Sequence, residues 1–219
     1  MRKILITAII AITFLCACSN ESEQNLSNPS SLSVPQKKGS TLGDLYGKMT
    51  ESDSYKKLSD SKDIFFAKMN FTGVVEDIDS ETKILTWISD NIASTSFRDN
   101  KEAESEWNDL KLQQKAIMVE NEEFFTLLYS SGKGTLYPII HEPYEQTTTG
   151  CEEDCNSANA GCEGIADAYF STGLEYASSY MAGGDFDSAV TVAMVGFTGY
   201  VCIMNECGTS HAACLQGCH

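Results

Sequence analysis

CEEDCNSANAGC at residues 151–162 and CGTSHAACLQGC at residues 207–218 decide how the C-terminal part of this chain folds. The cysteines of the first stretch are 4 and then 7 residues apart, and those of the second are 7 and then 4 apart. Both sets share one centre, between Gly184 and Asp185, so their spacing is a mirror image. Two antiparallel helices joined by a glycine turn produce this symmetry. We therefore predict three bridges: Cys151–Cys218, Cys155–Cys214 and Cys162–Cys207.

Helix geometry is compatible with this pairing. Steps of 4 and 7 residues rotate an α-helix by about 400° and 700°, so each cysteine triplet stays on one face. Helices packed about 8–10 Å apart bring facing Cα atoms near the distance that a disulfide spans. The close approach needs small residues, and the same mirror places Gly173 opposite Gly196. A Cys202–Cys207 bridge, which leaves Cys162 unpaired, is the alternative.

The N-terminus is typical of a targeting signal. Arg2 and Lys3 precede an apolar run from Ile4 to Leu15, which is too short to span a bilayer. The sequence LCAC at residues 15–18 resembles the lipobox of bacterial lipoproteins. The resemblance implies a signal peptide at residues 1–17, an acylated Cys18 as the membrane anchor, and residues 18–40 as a polar tether. An ordinary secretory signal is the alternative.

Export to the bacterial cell envelope permits disulfides, and the charge of the chain limits its partners. Loss of the signal leaves 13 basic residues against 31 acidic ones, a formal charge of −18. Lys133 is the last basic residue, and eleven acidic residues follow it. Nucleic-acid binding is therefore not expected, whereas a protein partner or ligand with basic groups is.

The remaining chain predicts an all-α fold. Apolar residues recur at helical spacing across residues 41–134, which we interpret as a bundle of three or four helices. Its longest helix is expected to run from Asn100 to Gly132. Residues 135–150 contain Pro138 and Pro143 and are interpreted as a linker. Residues 151–219 form the cysteine-rich helical hairpin, with residues 185–188 as its turn and N-cap.

Cys202 is the one cysteine of the C-terminal part that has no partner in the mirror-image spacing. It is either a reactive or intermolecular thiol, or a small apolar side chain buried against the bundle. Because cysteine is among the most often buried residue types, we favour the second interpretation, with Cys202 as a free thiol.

A metal site is the weaker interpretation of the C-terminal cysteines and histidines. A helix would gather Cys207, His211, Cys214, Cys218 and His219, which are all metal-ligand types. The three cysteines, however, each have a mirror partner in an oxidising compartment. We therefore expect no metal site.

Catalytic patterns are also weak. Residues 208–212, GTSHA, superficially resemble a nucleophile elbow but lack the preceding strand. Residues 185–188 lack the remainder of a calcium loop. We expect no catalytic residues, no cofactor and no enzymatic activity.

A second apolar line on the hairpin leaves two functions open. It either packs against residues 41–133 or forms an exposed face for a partner or a membrane. The favoured function is a non-enzymatic, lipid-anchored binding module of the cell envelope. The alternative is a bacteriocin-like precursor that releases the hairpin as an antimicrobial peptide. The apolar line comprises Phe170, Leu174, Met181, Val190, Met194, Phe197 and Val201.

Overall fold

The computed structural model describes residues 40–141, 143 and 150–218, which belong to one compact unit, Gly39–His219. The predicted signal peptide, Cys18 and nearly all of the tether lie outside the described residues. Within these residues the secondary structure is helical, with no strand, which confirms the all-α prediction. The α-helices are α1 (Leu42–Glu51), α2 (Asp53–Met69), α3 (Glu81–Asp90), α4 (Asn100–Glu120), α5 (Glu122–Ser131), α6 (Tyr137–Ile140), α7 (Cys151–Ala182) and α8 (Phe186–Gly217).

Short polar side chains set where five of these helices begin. Each accepts the backbone N–H of the residue three positions later, which satisfies a donor that has no partner inside the helix. Ser80 fills this role for α3. The five capping residues are Thr41, Ser52, Ser80, Asp99 and Asp185.

The single long helix expected from Asn100 to Gly132 is wrong. The chain forms α4 and α5 instead, separated at Asn121. The side-chain Nδ2 and the backbone N–H of Asn121 both donate to the carbonyl of Ile117, at 2.8 and 3.0 Å. An asparagine side chain that bonds its own helix backbone in this way competes with helix continuation.

The core is shared between the bundle and the hairpin. Trp107 of α4 and Phe124 of α5 are fully buried in the same cluster as Phe170 of α7 and Met194 of α8. The open question about the apolar line is therefore decided: it packs on the bundle. Its buried members are Phe170, Leu174, Val190, Met194 and Phe197, while Met181 and Val201 are partly buried against the same cluster.

Glu175 fastens the end of the bundle to the hairpin. Its carboxylate accepts the backbone N–H of Gly134 at 2.9 Å and that of Leu136 at 3.2 Å. The side chain is buried, so these bonds replace the water that the charge loses. The stretch expected to be a linker thus begins with residues held against α7, and it contains the short helix α6.

Among the described residues, α8 alone is long and apolar enough to cross a membrane, with a mean hydropathy of 1.5 in its most apolar window. Half of that window is buried inside the protein. Core helices meet the same criteria, so the composition of α8 does not by itself indicate a membrane span.

Candidate functional site

Three disulfides join α7 to α8, and we call them the disulfide ladder. They link Cys151 to Cys218, Cys155 to Cys214 and Cys162 to Cys207, each with a Cα–Cα distance of 5.7 Å. These are the pairings that the mirror spacing predicts. Three bridges along one helix pair restrict sliding, rotation and separation of α7 and α8. The hairpin is therefore a covalently held surface.

Beyond the ladder, α7 and α8 touch through their backbones. A Cβ atom added to Gly173 would lie 2.9 Å from the Cα atom of Gly196, which is closer than real Cβ atoms approach. Ala177, one turn further along α7, is completely buried. Only small side chains fit along this contact. Because they fill little space, a depression remains on the side of the hairpin away from the bundle core.

We call this depression the outer groove. Its volume is about 480 Å³, and its lining surface is mostly apolar. Ile165 is 62% exposed and Tyr176 is 45% exposed, although both are large and largely apolar. Exposed apolar side chains grouped in a depression are typical of a binding surface. The groove is lined by Ile165, Ala168, Tyr169, Thr172, Gly173, Tyr176, Val192, Val195 and Gly196.

Acidic residues lie near one end of the outer groove, where Lys83 forms an ion pair with Asp79 at 2.7 Å. Burial, together with the charges of Asp79 and Glu76, raises the pKa of the Tyr169 hydroxyl. At Tyr176 the ammonium of Lys133 lies 4.4 Å from the ring centroid, as in a cation–π contact. The hairpin itself contains no lysine or arginine. The surface thus combines an apolar contact area with acidic and basic side chains near its ends.

Cys202 is free and buried in the core, as the favoured interpretation expected. Burial raises the pKa of its thiol to about 11, and Glu206, Glu76 and Asp77 add to the effect. Because the thiolate is the nucleophile, a thiol with this pKa is unreactive near neutral pH. It borders a depression of about 490 Å³ between α8 and the segment after α2, where Phe66, Phe71, Asn205 and Ser210 also lie.

The other residues that the sequence suggested as metal ligands or as a nucleophile elbow have different roles in the structure. Cys207, Cys214 and Cys218 are all in disulfides, and His211 Nε2 lies 2.9 Å from Asn156 Oδ1. His219 lies outside the described residues. The GTSHA stretch is inside α8, so it lacks the sharp turn of a nucleophile elbow.

Sequence reasoning missed a histidine–carboxylate pair between α6 and α7. His141 Nδ1 lies 3.0 Å from Asp167 Oδ2, and Tyr137 stacks on the imidazole with ring centroids 5.0 Å apart. Gly164 makes room, because an added Cβ would lie 3.1 Å from His141 Cε1. Within the described ranges no hydroxyl or thiol group hydrogen-bonds to His141. The pair fastens α6 to α7, and no local sequence pattern marks residues 26 positions apart.

Comparison with known proteins returns no match for this chain among protein-family models, curated proteins or solved structures.

Proposed function

We propose that this protein is a non-enzymatic binding module of the bacterial cell envelope, anchored through acylated Cys18, and that its outer groove binds a protein or peptide carrying apolar and basic side chains. The observation behind the proposal is the exposed apolar groove on a disulfide-held hairpin. The anchor and the envelope location rest on the resemblance of residues 15–18 to a lipobox.

The partner chemistry follows from the surroundings of the groove. Ile165, Val192 and Val195 offer apolar contact, so the partner needs an apolar stripe. The excess of acidic residues and the lack of basic ones in the hairpin favour cationic groups beside that stripe. The ring of Tyr176 already accepts one ammonium group, from Lys133. A cationic amphipathic helix has both features.

Rigidity supports recognition more than catalysis. Binding to a surface that is already ordered loses little conformational entropy, and the disulfide ladder supplies that order. A rigid surface also needs no conformational closure to assemble it. The bacteriocin-like precursor has less support, because release of the hairpin would expose Phe170, Met194 and Phe197, which are buried against the bundle.

The test uses the oxidised mature chain carrying Cys18→Ser, which removes the need for detergent. The probe is a designed helical peptide with a leucine stripe and lysines elsewhere, and a peptide with glutamates in place of the lysines is its counterpart. We expect the lysine peptide to bind with a measurable Kd in calorimetry and the glutamate peptide not to bind. Equal binding of both peptides would show that charge does not select the partner.

Variants then locate the binding surface. Ile165→Ala combined with Tyr176→Ala should weaken binding by about tenfold or more, since burial of a large apolar side chain contributes about 1.5–3 kcal/mol. Leu112→Ala and Tyr129→Ala remove equally exposed apolar side chains from α4 and α5 and serve as matched controls. If these controls weaken binding as much as the groove variant does, the groove is not the site.

A further inference from the structure

The outer end of the disulfide ladder gathers four cysteines from two helices. Cys151 and Cys155 lie one turn apart on α7, and Cys218 caps the end of α8, one turn after Cys214. The sulfur atoms of Cys151, Cys155 and Cys218 are all within 4.8 Å of one another. The fourth sulfur, that of Cys214, is bonded to Cys155. Three sulfurs therefore lie close together, and the fourth is attached to one of them.

The spacing between the two outer bridges matches a metal–thiolate site. The Sγ atoms of Cys155 and Cys218, which belong to different bridges, are 3.7 Å apart. Zinc bound tetrahedrally by four thiolates at about 2.3 Å places neighbouring sulfurs about 3.8 Å apart. One edge of such a tetrahedron is thus already present. Cleavage of the two outer disulfides lets each bonded sulfur pair separate to this distance and lets the side chain of Cys214 turn toward the other three sulfurs.

We propose that reduction of Cys151–Cys218 and Cys155–Cys214 converts the outer end of the ladder into a four-cysteine site for one zinc ion. The proposal is independent of the function assigned to the outer groove. The oxidised protein has no thiolate to offer at this position, so the same four residues hold the hairpin together either as two disulfides or around a metal.

The chemistry needs a dithiol reductant. Each disulfide accepts two electrons and two protons from a dithiol, which is itself oxidised to a cyclic disulfide, and two cysteine thiols result. Zinc then displaces the four thiol protons to solvent and bonds four thiolates. Oxidation by a disulfide donor reverses the sequence and releases the ion.

Access favours reduction at the outer end. Cys151 and Cys214 are exposed, so each outer bridge has a sulfur-bearing residue at the surface. The inner bridge joins the buried Cys207 to the half-buried Cys162. It lies seven residues, or about 10 Å, further along the helices. The inner bridge and the shared core therefore keep α7 and α8 paired while the outer cysteines are reduced.

The test uses the mature chain with Cys18→Ser, reduced mildly by a dithiol that is then removed without oxygen. Peptide mapping with a thiol-alkylating reagent verifies that Cys162–Cys207 stays closed. Cobalt(II) is the spectroscopic probe, because its tetrahedral thiolate complexes absorb strongly. We expect one cobalt ion per reduced chain with that spectrum, displacement by one zinc ion, and no such complex with the oxidised protein.

Two double variants assign the ligands. Cys162→Ala with Cys207→Ala retains the four outer cysteines and should bind one metal ion after reduction. Cys155→Ala with Cys214→Ala should lose the tetrahedral thiolate spectrum while circular dichroism verifies that it is still helical. X-ray absorption of the zinc-loaded parent protein gives a readout that needs no variant, namely four sulfur ligands at about 2.3 Å. Absence of a thiolate–metal band, or fewer than four sulfur ligands, overturns the proposal.

Discussion

Lys62 is buried between α2, α4 and α8 although its side chain ends in an ammonium group. Its Nζ donates to Gln114 Oε1 at 2.8 Å and lies 4.2 Å from the ring centroid of Phe197. Neither partner is charged. Burial therefore lowers the pKa of Lys62 from 10.5 to about 7, against a weaker opposite effect of Asp63. A lysine in a helical pattern looks like a surface residue, so the sequence gives no sign of this environment.

Lys62 should make the free energy of unfolding depend on pH. Its pKa is lower in the folded chain than in the unfolded chain, so the unfolded chain binds more protons between pH 7 and 10.5. The free energy of unfolding therefore rises with pH across this window. One pKa unit corresponds to about 1.4 kcal/mol, so the rise amounts to a few kcal/mol. Urea unfolding of the oxidised protein at several pH values measures it.

The measurement should stop below pH 10. Burial raises the pKa of Tyr46 from its ordinary value of 10.0 to about 12, so between these two pH values Tyr46 makes the free energy of unfolding fall as the pH rises. Lys62→Met should flatten the rise. Lys57→Met, on the exposed side of the same helix, is the matched control and should keep it. An unchanged slope in Lys62→Met would mean that other groups cause the pH dependence.

At the level of elements, the contact of α7 with α8 depends on glycine rather than on cysteine alone. The bridges occupy one end of the hairpin, whereas Gly173 meets Gly196 nearer the turn. Small residues there allow the two backbones to touch, and the outer groove is the space that their missing side chains leave. The groove and the tight packing thus have the same origin in the sequence.

Gly173→Ala should destabilise the protein although alanine is the better helix former. The added methyl group meets the backbone of Gly196, which cannot rotate away, and overpacking of this kind costs about 1–3 kcal/mol. Gly161→Ala, in the same helix, has open space around the new Cβ atom and should stabilise by up to about 1 kcal/mol. Thermal unfolding of the two oxidised variants compares them. Equal stability of both would contradict the close contact.

At this scale the sequence predicts the hairpin better than the bundle. The mirror spacing of the cysteines gives both the partner helix and its register, because a disulfide joins residues at one short distance. No similar constraint acts on residues 100–131, where the apolar repeat continues through Asn121 although the helix does not. A polar side chain that bonds back to its own helix ends α4 without changing the repeat.

At the scale of the whole molecule, the hairpin has two different faces. One is buried against α4 and α5, and the other carries the outer groove. A helix pair that shares its core with the bundle is expected to stay attached to it. The charge of the chain agrees with this, since membrane-active peptides generally use basic residues and the hairpin contains none.

Mass analysis of the protein purified from the cells that produce it tests this organisation. We expect one chain that begins at acylated Cys18 and continues through the hairpin. Because of its three bridges, its mass should be six hydrogen atoms lower than that of the fully reduced chain. Cys18→Ser should remove the acyl mass and the partition into membranes. A released piece of about 70 residues, the length of the hairpin domain, would support the bacteriocin-like precursor instead.

The sequence by itself determines the helical class and favours the hairpin with its three bridges over the Cys202–Cys207 alternative, because helical period and cysteine spacing are local or symmetric properties of the chain. The tertiary structure alone decides which hairpin face meets the bundle and which one forms the groove. It alone also brings His141 to Asp167, Glu175 to Gly134 and Lys62 to Phe197. Those contacts join residues far apart in the chain, and their energies depend on burial, which arises only when the helices pack together.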